Sequence, residues 1–420
     1  MIADRAEREL RRITRDALGV LLEQHPNGSA AEQAAHIRAM IHDEVVGYQR
    51  RAATLNEPLL SDPTETEQRL VDELLGLGPI ESLMRDPDVE SIFINAPTRV
   101  YVVRGGHIER VPHVRFEDDA QVRDMVKRLA SSAGRRFDES APRADLGLPD
   151  GSRLHAVMAP VSSQFTEVTI RRFTRRNRRL DDLVGDGALT VDLARFLSAV
   201  VKARVNLVFS GDGGTGKTTM LRAAALEIDH PDERVVVIEH TRELGLEQLL
   251  PHALGWQERI ANSEGLGAIT QGELLHEDAL RSEPSRILIG EVRGPEAWVL
   301  LKAMNTGHRG SMSTIHASSG RDAIDRLTVA AMEAPVRPSE ELLTKLIATN
   351  LQLVLHLEKR DGRRMVTQVF EITGREGTTI AGHDLWIHRD GRLVRTGLRP
   401  RCLDRVASAE VTYAWEVAAA

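Results

Sequence analysis

A single cysteine, Cys402, stands in 420 residues, so no intramolecular disulfide can form and the chain suits a reducing compartment. Aromatic residues make up only 4%, which leaves a core to be built from Leu, Val, Ile and Ala. No apolar stretch approaches the roughly 20 residues that a membrane-spanning helix needs. The first 24 residues are charged throughout and hold no apolar signal core. These absences predict a soluble, cytoplasmic chain without a transmembrane segment, which meets a membrane only through a partner. Positive charge is not in excess either. A formal net charge of −7 argues against a surface made to coat nucleic acid, so no direct nucleic-acid contact is expected. The length allows two or three domains, each with its own core.

What is present centres on residues 211–219. Gly211, Asp212, Gly213, Gly214, Thr215, Gly216, Lys217 and Thr218 fit the pattern GxxxxGK[ST], and Thr219 follows. An apolar run at 205–209 reads as a strand entering the loop, and 220–226 reads as a helix leaving it. Strand, glycine loop and helix are the arrangement a phosphate cradle needs. The glycines let backbone N–H groups turn inward, and the helix N-terminus adds partial positive charge. Lys217 can then reach the β- and γ-phosphates, and the Thr218 hydroxyl can ligate Mg2+. The loop predicts binding of a nucleoside triphosphate.

Two further predicted strands end in acids. Residues 234–239 close on Glu239, with Glu243 four positions on, and residues 286–291 close on Glu291. Ligands of parallel α/β sheets sit at the carboxyl ends of strands, so both acids are expected to face the phosphate loop. A carboxylate there can orient water for attack on the γ-phosphate or hold a metal-bound water. Glu291 is the expected water-orienting group, and Glu239 and Glu243 would support Mg2+ and the hydrogen-bond network. Two histidines, His308 and His316, flank a short strand that follows a helix at about 295–304. Either imidazole could donate to a phosphate oxygen; a buried structural role is a fair alternative for His308 and a weaker one for His316.

The order of elements is α/β. Residues 1–62 read as a helical N-terminal module, with helices at 3–24 and 30–54. Residues 63–173 read as a small α+β domain containing a hairpin turned at Gly105-Gly106, and 174–186 as an arginine-rich linker. Helices and strands then alternate over 187–374 as in a parallel-sheet nucleotide domain. A tail over 375–420 holds one hairpin, turned at Asp390-Gly391.

These elements, in this order, resemble the secretion ATPase superfamily that powers type II and type IV secretion and type IV pili. The resemblance rests on a Walker A loop (211–219), an acidic box (238–244), a Walker B strand (286–293) and a histidine box (307–317). In the N-terminal half, 86–92, 134–140, 148–153 and 169–173 look like the CpaF branch, which serves Tad/Flp pili. The resemblance implies a RecA-like P-loop NTPase domain behind the smaller α+β domain, assembled as a homo-hexameric ring. It implies ATP and Mg2+ as ligands and an inner-membrane platform protein as partner. By position it nominates Arg153, Arg171 and Arg172 from the N-terminal side, and Arg242, Arg281 and Arg293 from the C-terminal side, as groups that meet the phosphates. Three positions depart from the family pattern: Glu283 where an arginine is usual, and Ser285 and His240 where aspartates are usual. They motivate an alternative, a nucleotide-gated structural subunit with little turnover. A conjugation-type DNA-transfer motor is the other rival.

Overall fold

Ile37, Ile41, Val45, Tyr48 and Ala52 recur at helical spacing along helix α1 (Ala30–Leu55) and bury one face of it. They pack with Leu70 and Val71 of α2 (Pro63–Leu75). Asp62 caps α2 by accepting from the Glu65 N–H at 2.9 Å, and Pro63 occupies the first turn, where a missing N–H costs nothing. The computed structural model describes residues 9, 10, 12–14, 17, 30–172, 178–228, 230–259, 261 and 265–415. Most of the helix expected over 3–24 and the first part of the arginine-rich linker, 174–177, lie outside them. The chain divides into two units, Met1–Thr174 and Arg175–Ala420.

The first unit contains an antiparallel sheet of six strands. Their order is β3 (His107–Arg110), β2 (Arg99–Arg104), β1 (Val89–Ala96), β6 (Glu167–Arg171), β5 (Arg153–Val157) and β4 (Arg143–Gly147). Ile92, Ile94, Val100, Val102, Leu154 and Ile170 alternate onto one face, where Val122, Met125 and Val126 of α3 (Asp119–Ser132) cover them. The hairpin at Gly105-Gly106 joins β2 and β3 as the sequence predicts. Strand β4 escaped the sequence reading, because only Ala144 and Leu146 alternate inward in its five residues.

The second unit is built on nine strands. From one edge the order is β15 (Arg392–Arg395), β14 (Thr379–Arg389), β13 (Arg363–Glu376), β12 (Leu353–Arg360), β7 (Leu207–Gly211), β11 (Met312–Ile315), β10 (Arg286–Val292), β8 (Val235–Glu239) and β9 (Ala253–Gln257). From β12 to β9 all neighbours are parallel, and β13 to β15 add an antiparallel meander. Side chains alternate between two cores. Leu207, Phe209, Val235, Val237 and Leu288 face α4 (Val191–Lys202) and α5 (Lys217–Ala225). Val208, Val236, Ile238, Ile287 and Ile289 face α6 (Glu296–Asn305), α7 (Gly320–Met332) and α8 (Glu340–Asn350). Helices on both faces explain why these strands read as apolar runs.

The region expected as a tail continues this sheet. The break placed at 374 falls inside β13, and the Asp390-Gly391 turn, with φ of 51° and 78°, joins β14 to β15. Trp386 and Trp415 close over Phe196 of α4, with ring centroids 4.8 and 5.8 Å away. Apolar burial thus binds residues 379–415 to the nucleotide unit. Among the described residues no helix is long and apolar enough to cross a membrane.

Candidate nucleotide-binding site

The parallel strands end together on one edge of the nine-stranded sheet, and the phosphate loop lies there, between β7 and α5. Gly211 ends β7 with φ 148°, and a Cβ built on it would stand 2.2 Å from the Leu357 carbonyl oxygen of β12. Only glycine fits that approach. Gly216 caps α5 in the left-handed region, with φ 94°. The Thr215 hydroxyl closes the loop by donating to the Asp212 carbonyl at 2.8 Å. Thr218 and Thr219 are half-buried in the first turn of α5, next to the helix's free N–H groups.

Four side chains connect across the edge. The Lys217 amine donates to the carbonyls of Gly211 and Asp212 at 2.9 and 3.0 Å and lies 3.4 Å from His316 Nδ1. His316 Nε2 is 2.7 Å from Glu291 Oε1. Arg293 Nε donates to Glu291 Oε2 at 2.6 Å. The amine can only donate, so a neutral imidazole facing it offers the Nδ1 lone pair and carries its proton on Nε2; Nε2 lies close to Glu291 Oε1 but is not aligned to hydrogen-bond with it. Burial holds His316 below its ordinary value, and the Lys217 charge adds to that. Burial likewise lowers Lys217, against the opposing pull of Glu291. Glu291 and His316 are thus brought together with Lys217 and Arg293.

Glu239 plays a different part from the one its position suggested. It is only 3% exposed, and its Oε1 accepts the Glu243 and Leu244 N–H groups at 2.9 and 3.0 Å. It pins the loop after β8 and makes no hydrogen bond to Lys217; of the two acids Glu243 is the one whose charge reaches the lysine, behind Glu291 and Asp212. Burial pushes the Glu239 carboxyl up to about 7. The folded state then keeps this proton to higher pH than the unfolded chain does. The stability it contributes is complete below about pH 4.5 and is lost as the pH rises through about 7. Glu239→Gln keeps the accepting oxygen and removes the titration. At about 1.36 kcal/mol per pKa unit, wild type should lose roughly 3 kcal/mol relative to the variant between pH 4.5 and 8. Denaturant unfolding of both proteins across that range checks it; a constant difference contradicts it.

His308 and Arg281 are not brought to this edge. His308 precedes β11, and its Nδ1 donates to the Pro284 carbonyl at 2.9 Å. Arg281 lies exposed in the turn before β10. Both occupy the amino end of the sheet, opposite the phosphate loop, because β10 and β11 run parallel to β7. Two histidines flanking a strand necessarily sit at its two ends, and only His316 is at the productive one. Glu283 and Ser285 share the far end. Ser285 Oγ accepts the Arg234 N–H at 3.1 Å, and it is six residues from Glu291, about 20 Å at strand rise. His240, the third departure, pairs with Glu258. Arg242 is at the phosphate-loop edge and donates to the Gly255 carbonyl at 3.2 Å.

In the first unit, Arg153 and Arg171 are register partners across β5 and β6. Arg172 is turned inward and donates to the carbonyls of Leu83, Asp86 and Val89. Its guanidinium ties the turn before β1 to the end of β6, a structural use that its neighbour in sequence does not share.

The arrangement fits a nucleoside triphosphate with Mg2+. Inward amides, a helix N-terminus and a buried lysine supply the anion cradle. Among the described residues no group of three or more His, Cys, Asp or Glu side chains could hold a metal alone. Mg2+ would be held by the Thr218 hydroxyl and the phosphate oxygens, as suits an ion that keeps most of its water. One exposed cation beside the loop was absent from the sequence reading: the Arg364 side chain crosses Gly216. Its signal was the Asp361-Gly362 turn between Lys359-Arg360 and Arg363-Arg364.

The description "Type II/IV secretion system protein" belongs to the family whose model matches residues 73–385. A Mycobacterium tuberculosis protein provisionally named for conjugal transfer is 36% identical over 315 residues, 73% of this chain and 88% of its own. Conjugal transfer protein TrbB of Rhizobium radiobacter is 30% identical over 292 residues, 69% of this chain and 85% of its own. Among solved structures, the Legionella pneumophila ATPase DotB superposes with a TM-score of 0.51 at 18% identity, over 71% of this chain and 81% of its own. That likeness is one of fold, a RecA-like nucleotide domain behind a smaller α+β domain. The chain belongs to the type II/IV secretion system protein family.

Proposed function

We propose that this chain is an Mg2+-dependent ATPase that works as a homo-hexameric ring at the cytoplasmic face of the cell membrane. It would drive pilus assembly or protein secretion through an inner-membrane platform protein, with the CpaF-like motifs favouring a Tad/Flp pilus. The observation that carries the reading is the continuous chain Lys217–His316–Glu291–Arg293 at the phosphate loop.

On this reading the loop amides and Lys217 hold the phosphates, and Lys217 leaves its two carbonyl partners to do so. Mg2+ bound at Thr218 would neutralise charge that develops on the phosphate oxygens. Glu291 orients the water that attacks the γ-phosphorus and receives its proton as the bond to the leaving oxygen breaks. His316 contacts both Lys217 and Glu291, so loss of the γ-phosphate changes the charge it faces on either side. Coupling turnover to motion of the first unit about the 174–186 linker would convert hydrolysis into work.

Steady-state phosphate release by the purified full chain tests this. Turnover in Mg2+, abolished by EDTA, is expected. Tight ATP binding with no turnover, in Mg2+ and with membrane partners supplied, would favour the nucleotide-gated subunit instead. That rival drew on Glu283, Ser285 and His240; of these Ser285 is about 20 Å from Glu291 by strand rise, whereas His240 directly follows β8. The conjugal-transfer names of the Mycobacterium and Rhizobium relatives favour a second reading, a DNA-transfer motor. The net charge of −7 weighs against direct DNA handling, and salt-dependent DNA binding at physiological ionic strength would support it.

A further inference from the structure

We propose that Arg364, carried by the β12–β13 hairpin, binds the diphosphate of the nucleotide; the inference rests on the nucleotide-binding reading above. The hairpin is tied to both ends of the phosphate loop. At the first end, Leu357 of β12 is in register with Gly211, and its carbonyl occupies the space a Gly211 side chain would need. The β12–β13 pairing shifts by a bulge between His356 and Leu357, and the hairpin turns at Asp361-Gly362 with φ of 49° and 78°. At the second end, Arg364 is paired with Lys359 and returns across Gly216. A Cβ built on Gly216 would stand 3.4 Å from Arg364 Cδ and 3.9 Å from its Cβ.

Gly216 is the N-cap of α5, directly before Lys217. The aliphatic stem of Arg364 therefore lies against the start of the helix, and the residue as a whole is exposed to solvent. Among the described residues the Arg364 side chain has no hydrogen-bond or ion-pair partner. Arg360, on the same hairpin, is different: its Nε donates to Glu358 at 2.8 Å and its Nη1 lies 2.9 Å from His388 Nδ1. An always-charged planar fork, positioned by its stem beside inward-pointing amides and lacking a carboxylate, matches phosphate oxygens. Loop amides cradle the α- and β-phosphates, whereas Lys217 reaches towards the γ-phosphate. A side chain lying over Gly216 is thus placed for the diphosphate, which ATP and ADP share.

The test is equilibrium binding of ATP, ADP, AMP and GTP to the full chain, for wild type, Arg364→Ala and Arg364→Lys. For Arg364→Ala we expect ATP and ADP each to weaken about tenfold, with AMP changed less than about threefold. Arg364→Lys should recover part of the loss, and the thermal midpoint of the nucleotide-free chain should not move. ATP and ADP bound by Arg364→Ala as tightly as by wild type, while Lys217→Ala loses both, would overturn the inference and leave the nucleotide site standing. A selective loss of preference between ATP and GTP would overturn it in favour of contact with the base. Wild type that binds no nucleotide would sink both readings, a result distinct from either of the others.

Discussion

Glu291→Gln is expected to keep ATP affinity within about threefold of wild type while lowering kcat by roughly 10²- to 10⁴-fold, the range spanned by a positioned general base. The substitution preserves shape and one accepting oxygen for Arg293 Nε and removes the charge that orients water. Its neighbours predict a second signature. The Glu291 charge supports both Lys217 and His316 against the lowering effect of their burial. Removing it should drop the His316 pKa further, which titration of the imidazole by NMR can follow. A variant that hydrolyses ATP like wild type would remove Glu291 from the mechanism, whatever happens to His316.

Lys217→Ala should act on binding instead. The amine is already withdrawn from bulk water and held by the Gly211 and Asp212 carbonyls at 2.9 and 3.0 Å. Its desolvation therefore precedes the nucleotide, and on binding it exchanges neutral acceptors for phosphate oxygens. Charge-assisted bonds of that kind are about twice as strong as neutral ones. Loss of ATP affinity by about 10²-fold or more is expected, near 2.7 kcal/mol. The nucleotide-free chain should lose only about 1–3 kcal/mol, the cost of leaving the buried Gly211 carbonyl without this donor. Calorimetric titration reads the first number and denaturant unfolding the second. A large loss of stability with affinity kept would mean that the lysine is a structural clasp.

The phosphate loop was legible because its chemistry leaves little freedom in sequence: positive-φ glycines, a lysine and a hydroxyl at fixed spacing, with strand and helix on either side. Glu291 and His316 were legible for a related reason, since residues just after parallel strands share one edge of the sheet. His308 and Arg281 show the limit of that reasoning. Their distance from the phosphate loop depends on which end of a strand they occupy, and strand ends are fixed by direction within the sheet. Glu239 was placed at the correct strand end, but burial and two backbone N–H bonds turned it into a brace for its own loop. Arg172 has a similar lesson, since three main-chain carbonyls recruit a charge that position alone assigned to phosphate. Arg364 could not be found from local spacing, because it reaches Gly216 by way of a bulge and a hairpin return 148 residues along the chain. The residues from 375 onward looked like an appendage because β14 and β15 add to the sheet edge through an antiparallel meander, a pattern that alternating helices and strands do not announce.

The most direct measurement identifies the nucleotide that stays bound after incubation with Mg2+ and ATP and removal of free ligand by gel filtration. Wild type should carry ADP and Glu291→Gln should carry ATP, which would place cleavage in this site and on this residue. ATP retained unchanged by both proteins, or no nucleotide retained by either, would contradict the assignment of this edge as the site of hydrolysis.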